Sequence, residues 1–158
     1  MSTPAILKEI LELARWAPSG DNTQVWRFEL AGPDHVAVHC HDTRADTVYD
    51  LDGHPSQISY GALFETMAIA ASAHGLRADL SRRRDSAEHR PVFDVHFVPD
   101  PGVKASPLLP AITTRSVQRR PMKTKPLHGD DKAALQAIVG PAFSVQWIEG
   151  RRDKLRTA

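Results

Sequence analysis

The chain is 158 residues long, enough for one domain with a core that folds unaided and too short for a second full domain. Hydrophobic residues make up 41% and charged residues 25%, the balance expected of a soluble globular protein, and no apolar run approaches the roughly 20 residues that span a bilayer. With 20 basic residues against 19 acidic ones the formal charge is +1, so nothing global points to nucleic acid and any cationic function must be local.

The N-terminal stretch MSTPAILKEILELA carries Lys8, Glu9 and Glu12 among its apolar residues and lacks the unbroken apolar core of a signal peptide. Thr3 reads as an N-cap and Pro4 as the first helical position, with Ile6, Ile10, Leu13 and Ala17 at helical spacing behind them. The helix is predicted to run to about Trp16, where Pro18 and Gly20 break it. WRFEL and HVAVHCHD then read as two strands joined by a turn at Gly32 and Pro33. Alternation puts Val36, Val38 and Cys40 on a buried face and His35, Ala37, His39 and His41 on the other. Cys40 is the lone cysteine and has no internal disulfide partner, which together with the missing signal peptide makes the cytoplasm the expected location.

After a loop containing Asp50, Asp52 and Gly53, the segment SQISYGALFETMAIAASAHG reads as a helix with Ser56 as N-cap and Gly75 as C-cap. Leu63, Met67 and Ala70 line one face, Ile69 and Ala73 adjoin it, and so apolar a helix is expected at the centre of the fold. A polar stretch, SRRRDSAEHR, precedes a third strand, PVFDVHFVP, in which Phe93, Val95 and Phe97 alternate with Asp94 and His96. DPGVKASPLLP is a connector. LLPAITTRSVQRRPM opens as a short helix, and DDKAALQAIVG is another with Asp130 or Asp131 near its start. FSVQWIEG reads as a fourth strand and RRDKLRTA as a beginning helix. The pattern predicts an α+β fold, a mixed β-sheet flanked by helices around the central Ala-rich one.

Two stretches carry candidate chemistry. In APSGDNTQVW, Ala17 to Trp26, Pro18, Ser19 and Gly20 leave a helix end open, with backbone N–H groups at a surface, and Asn22 and Gln24 add amides that donate and accept. Such a surface suits a flat heterocycle, and a plain polar turn accounts for the same composition. In TTRSVQRRPM, Arg115, Ser116, Arg119 and Arg120, followed by Lys123 and Lys125, concentrate charge that can hold a phosphate. No aromatic residue lies between Arg115 and Lys125, which disfavours a nucleic-acid surface. His39 and His41 stand two apart on one strand face, but there is no HExxH pair and no second cysteine, so no metal site is expected. There is likewise no GxSxG elbow, Walker loop or dinucleotide GxGxxG, and no residue is singled out as catalytic.

APSGDNTQVW resembles the APSxxNxQPW signature of the FMN-dependent nitroreductase family, departing from it at Val25, where proline is usual. The resemblance implies that Pro18, Ser19, Gly20 and Asn22 surround the flavin ring, with Gln24 and Trp26 supporting the loop. Arg115, Ser116 and Arg119 are similar to that family's phosphate motif, with Val117 where a hydroxyl residue is common. In ordinary nitroreductases the arginine motif comes first and the two motifs meet across a homodimer interface. The reversed order here, with DLDGHPSQISYGALFETMAIAA between, resembles a branch whose single chain holds two related halves. On that resemblance residues 1–100 supply one half of a nitroreductase-like domain and residues 107–158 begin the other, which ends incomplete at Ala158.

The activity implied is an FMN-dependent oxidoreductase in which NAD(P)H reduces the flavin and a nitro compound, quinone or related electrophile follows it into the same cleft. The alternative is a non-enzymatic protein on the same fold that binds or sequesters flavin without turnover, which Val25, Val117 and the end at Ala158 favour. The partners expected are a small-molecule substrate, and a second copy or a missing C-terminal half to bury apolar surface, with no nucleic acid and no membrane.

Overall fold

The computed structural model describes residues 3–121, 125–141 and 143–157. It divides into two compact units, Met1–Ser116 and Val117–Ala158.

In the first unit, helix α1 (Thr3–Ala14) buries Leu7, Ile10 and Ala14 on one stripe and leaves Lys8, Glu9 and Glu12 in solvent. The side chain of Thr3, the expected cap, lies outside the described residues. Strands β1 (Trp26–Leu30), β2 (His35–Cys40), β3 (Leu76–Arg82) and β4 (Val92–Pro99) form a four-stranded sheet in the order β1-β2-β4-β3. Every pairing is antiparallel, where a mixed sheet was expected. Helix α2 (His54–Ser72) packs on α1 and on β3. Leu63, Met67 and Ala70 from α2 meet Val36, Val38, Val95 and Phe97 from the sheet in one continuous core.

Three further expectations change. Gly53, at φ 86°, is the N-cap of α2, and Ser56 sits inside the helix, its hydroxyl turned to Asp50. Gly53 has the freedom for that left-handed backbone and a serine has little. Ala37, placed by alternation on the outer face, is also fully buried, in register between Glu29 and Asp94. Residues 76–82 form an edge strand that includes Ser81 and Arg82 of the expected polar stretch. Its register, Leu80 opposite Val95 and Arg82 opposite Phe93, continues the sheet despite the charges. Such charges are what an edge tolerates, and Arg77 pairs with Asp79 at 2.7 Å and with Asp100 at 2.9 Å.

The outer sheet face is polar. Asp94 accepts from Arg83 at 2.8 and 2.9 Å and bonds His35 at 2.7 Å, and the His35 and His96 rings stack at 4.2 Å. The Arg83 bonds, against a smaller opposing effect of burial, hold the Asp94 carboxyl below the usual carboxylate range. His39 pairs with Glu29 at 2.7 Å. Behind β4, the connector crosses the end of α2, where the Ser106 N–H donates to the Ser72 hydroxyl at 2.9 Å, and leads into the short helix α3 (Ala111–Thr114).

The second unit holds α4 (Gly129–Ile138), with Asp130 and Asp131 in its first turn, and α5 (Arg151–Thr157). The expected strand FSVQWIEG is irregular among its described residues, since alternation alone cannot make a strand without a neighbour to satisfy its backbone. Lys132 bonds Glu149 at 2.6 Å and lies 5.7 Å from the Trp147 ring centroid. Among the described residues of the chain, no helix is long and apolar enough to cross a membrane.

Candidate functional site

The site begins where α1 ends. Backbone bonds from Trp16 to Leu13 and from Ala17 to Ala14 close the last turn, and Pro18 then stops it. Ala17 is buried beneath the break while Trp16 stays 54% exposed, which fixes the direction of the exit. A single turn of 3-10 helix, Gly20–Asn22, carries the chain toward β1.

Three non-glycine residues in this loop take left-handed backbone: Asp21 at φ 46°, Asn22 at 57° and Gln24 at 49°. Each such residue costs on the order of 1 kcal/mol or more, so the surroundings must hold them. The Ser19 hydroxyl accepts from the Gln24 N–H at 3.0 Å, the Thr23 hydroxyl donates to the Gly20 carbonyl at 2.9 Å, and the Gln24 amide donates to the Arg15 carbonyl at 3.0 Å. Val25 drops into the core, and as a non-proline it leaves Gln24 free of the restriction that proline imposes on the residue before it.

A second support comes from residues 43–53. Buried Asp50 accepts from the Ser56 hydroxyl at 2.6 Å, the Thr43 hydroxyl at 2.8 Å, the Gly53 N–H at 2.8 Å and the Thr43 N–H at 3.2 Å. Burial pushes this carboxyl up, but the four bonds outweigh it and hold the group below the ordinary carboxylate value. The anchored segment presents Tyr49 to the loop so closely that a Cβ on Gly20 would lie 2.8 Å from the Tyr49 hydroxyl. Glycine at position 20 therefore serves a close approach, and Tyr49, which sequence reasoning passed over, is what it accommodates.

The phosphate candidate Arg115 follows α3, which buried Ile112 pins to the core. Its guanidinium donates to the Trp16 carbonyl at 2.5 Å. Asn22, Gln24 and Arg115 thus meet with Glu12, Arg15 and Trp16 around one cavity of about 460 Å³. A smaller hollow of about 240 Å³ shares Trp16 and Arg115 and continues over Ile69, Leu108 and Ile112. The Arg15 guanidinium bonds Glu12 at 2.8 Å, whereas the Asn22 side chain makes no hydrogen bond to any described residue. Ser19 and Gly20 shape the loop from behind, Pro18 is exposed at its start, and Ser116 is exposed beside Arg115. Arg119 and Arg120 are exposed residues of the second unit, and Lys123 lies outside the described residues. Glu12, Arg15 and Trp16 were missed because they read as the last turn of an amphipathic helix.

No protein-family model matches the chain. Two uncharacterized proteins of Mycobacterium tuberculosis, one from strain CDC 1551 / Oshkosh and one from strain H37Rv, are each 33% identical to it over 97 residues. The match covers 60% of this chain but 28% of each relative, so the chain spans less than a third of their length. Since 97 residues are 28% of each, those proteins are about 350 residues long.

Proposed function

We propose that the chain contributes a flavin seat to an FMN-dependent, NAD(P)H-using oxidoreductase of the nitroreductase type, acting on a nitro compound, quinone or related electrophile. The observation that carries this reading is Asn22, held in left-handed backbone with a free amide, on the same cavity wall as Arg115. Backbone cost of this kind gathers where a loop must present a group, and here the group presented can both donate and accept.

The surroundings suit the cofactor in three respects. An Asn amide complements the alternating carbonyl and N–H groups on the edge of an isoalloxazine ring. The apolar hollow of Trp16, Ile69, Leu108 and Ile112 offers cover for a flat ring face. Arg115, turned by its bond to the Trp16 carbonyl, retains further N–H donors for a phosphate, and the exposed Ser116 follows it in the chain. When bound, FMN supplies hydride transfer between NAD(P)H and the electrophile. The chain's own residues then bind and orient, Asn22 at the ring edge, Arg115 and Ser116 at the phosphate, and Ser19, Gly20, Gln24 and Tyr49 as supports of the loop. Relatives of about 350 residues have room for two such halves, in keeping with the motif order.

The test is FMN titration of the purified chain, followed by flavin absorbance and fluorescence quenching, with NAD(P)H oxidation measured on the same sample. Saturable binding weakened about tenfold by Asn22→Ala supports the seat. Binding without turnover selects the flavin-sequestering alternative. Absence of binding both by this folded chain and by it joined to the remainder of a full-length relative removes both readings.

A further inference from the structure

A larger hollow, of about 570 Å³, lies elsewhere in the first unit. Tyr60, Gly61 and Phe64 of α2 form one wall, and Leu80 and Arg82 of β3 with Phe93 of β4 form the other. The helix places positions 60, 61 and 64 on one side, and the register of Arg82 opposite Phe93 and Leu80 opposite Val95 turns those strand residues toward them.

The floor is aromatic. The Phe64 ring meets Phe93 edge-on at 4.8 Å and 60°, and Tyr60 lies 6.3 Å from Phe93, so the three rings hold one another in place. The space above them lies open beside Gly61, where an added Cβ would meet nothing within 4 Å. This glycine has no turn to make and lies inside a helix, where it costs stability relative to alanine. An open volume over a fixed aromatic floor is what it leaves.

The polar rim carries both signs, Asp42 and Glu88 against Arg44 and Arg82. Arg44 is committed to Asp42 at 2.6 Å, and Glu88 adds to the negative field around that same guanidinium. Arg82, by contrast, has no ion pair and no side-chain hydrogen bond to any described residue. A second group without a partner is the Tyr60 hydroxyl, buried in the wall. Burial above all, and then nearby Cys40 and Asp42, raise its pKa against a smaller lowering effect of the Ser56 hydroxyl, so it stays a neutral phenol. Volume, a floor of edge-packed aromatic rings and an unpaired guanidinium at the edge together describe a site for one class of molecule.

We propose that this cleft binds a small aromatic carboxylate, its ring against Phe64 and Phe93 and its carboxylate on Arg82. The site is independent of the flavin reading, because its residues and those of the Asn22 cavity do not overlap.

The test titrates the full 158-residue chain with 2-naphthoate, with its neutral isostere 2-naphthamide and with 2-naphthylmethylammonium, following backbone amide shifts. Naphthoate is expected to bind saturably, moving amides of residues 57–64 and 80–93. Arg82→Gln should weaken naphthoate about tenfold and leave naphthamide unchanged, as expected for loss of one charge-assisted pair. Gly61→Phe, which fills the hollow from a helical position, should abolish naphthoate binding while the far-ultraviolet spectrum stays native. Should that variant fail to fold, Arg82→Gln, an exposed substitution, carries the test alone. Any of these results would overturn the proposal: no saturable shifts, naphthoate binding that survives a folded Gly61→Phe, tighter binding of the ammonium probe, or equal loss of naphthoate and naphthamide in Arg82→Gln. Displacement of naphthoate by FMN would also overturn it, since the cleft would then be a flavin site.

Discussion

The two units differ in what stands behind their helices. In the first, α1 and α2 close over β2 and β4, and Ile10, Leu63, Met67 and Val38 are fully shielded from solvent. In the second, α4 has acidic residues in its first turn, favourable against the helix dipole, yet no described residue of the unit is buried. Leu135, Ile138 and Phe143 remain exposed. The pair of interactions at Lys132, with Glu149 and Trp147, is of a kind worth about 1 kcal/mol or less at a surface. Local pattern is enough to draw a helix; burial against a partner is what fixes one.

The comparison breaks most readily at the core. Leu63→Ala should cost about 3 kcal/mol through lost burial and the cavity left behind, while Leu135→Ala should change stability by less than about 0.5 kcal/mol. Urea unfolding of the two variants side by side measures this, and similar losses would mean that the second unit shares the cooperative core. Next comes Asp50→Ala, expected to cost about 2 to 3 kcal/mol because Thr43, Ser56 and Gly53 lose their common acceptor. The sign with pH follows from the lowered carboxyl. A folded-state pKa below the unfolded one gives stability that is present above about pH 4 and lost as pH falls through the folded value. Unfolding curves from pH 7 down to 3 should therefore fall less steeply for Asp50→Ala than for the parent chain. Equal slopes would show that Asp50 is not the charge that matters.

How much of this was legible depended on whether partners were local. Helix α1 and strands β1, β2 and β4 follow from apolar spacing, because each offers one side to the same core. Strand β3 was hidden by Arg77, Asp79 and Arg82, charges that an edge position accepts and that erase alternation. FSVQWIEG showed alternation but has no neighbouring strand among the described residues. At the site, the loop from Pro18 to Gln24 was readable from its breakers and amides, as was the basic character of Arg115. Trp16 and Tyr49 were not, since each matters only through contact with a segment distant in sequence. Asp50 likewise gave no signal beyond a loop acid, although DLDGHPS holds both it and Ser56.

The smallest expected effect on stability tests the loop most finely. Asn22 at φ 57° sits where glycine is at ease and alanine is not. Asn22→Gly should leave stability nearly unchanged, within about 0.5 kcal/mol, while Asn22→Ala should cost about 1 kcal/mol. Both remove the amide. If FMN affinity drops alike in the two variants, the side chain makes the contact and the strained backbone serves to present it. If only the alanine variant loses affinity, loop shape is what the ligand reads, and the role assigned to the Asn22 amide belongs to the backbone of residues 20–24. Melting and fluorescence quenching on the same two proteins separate these outcomes, since the glycine variant changes the chemistry at position 22 while keeping its geometry.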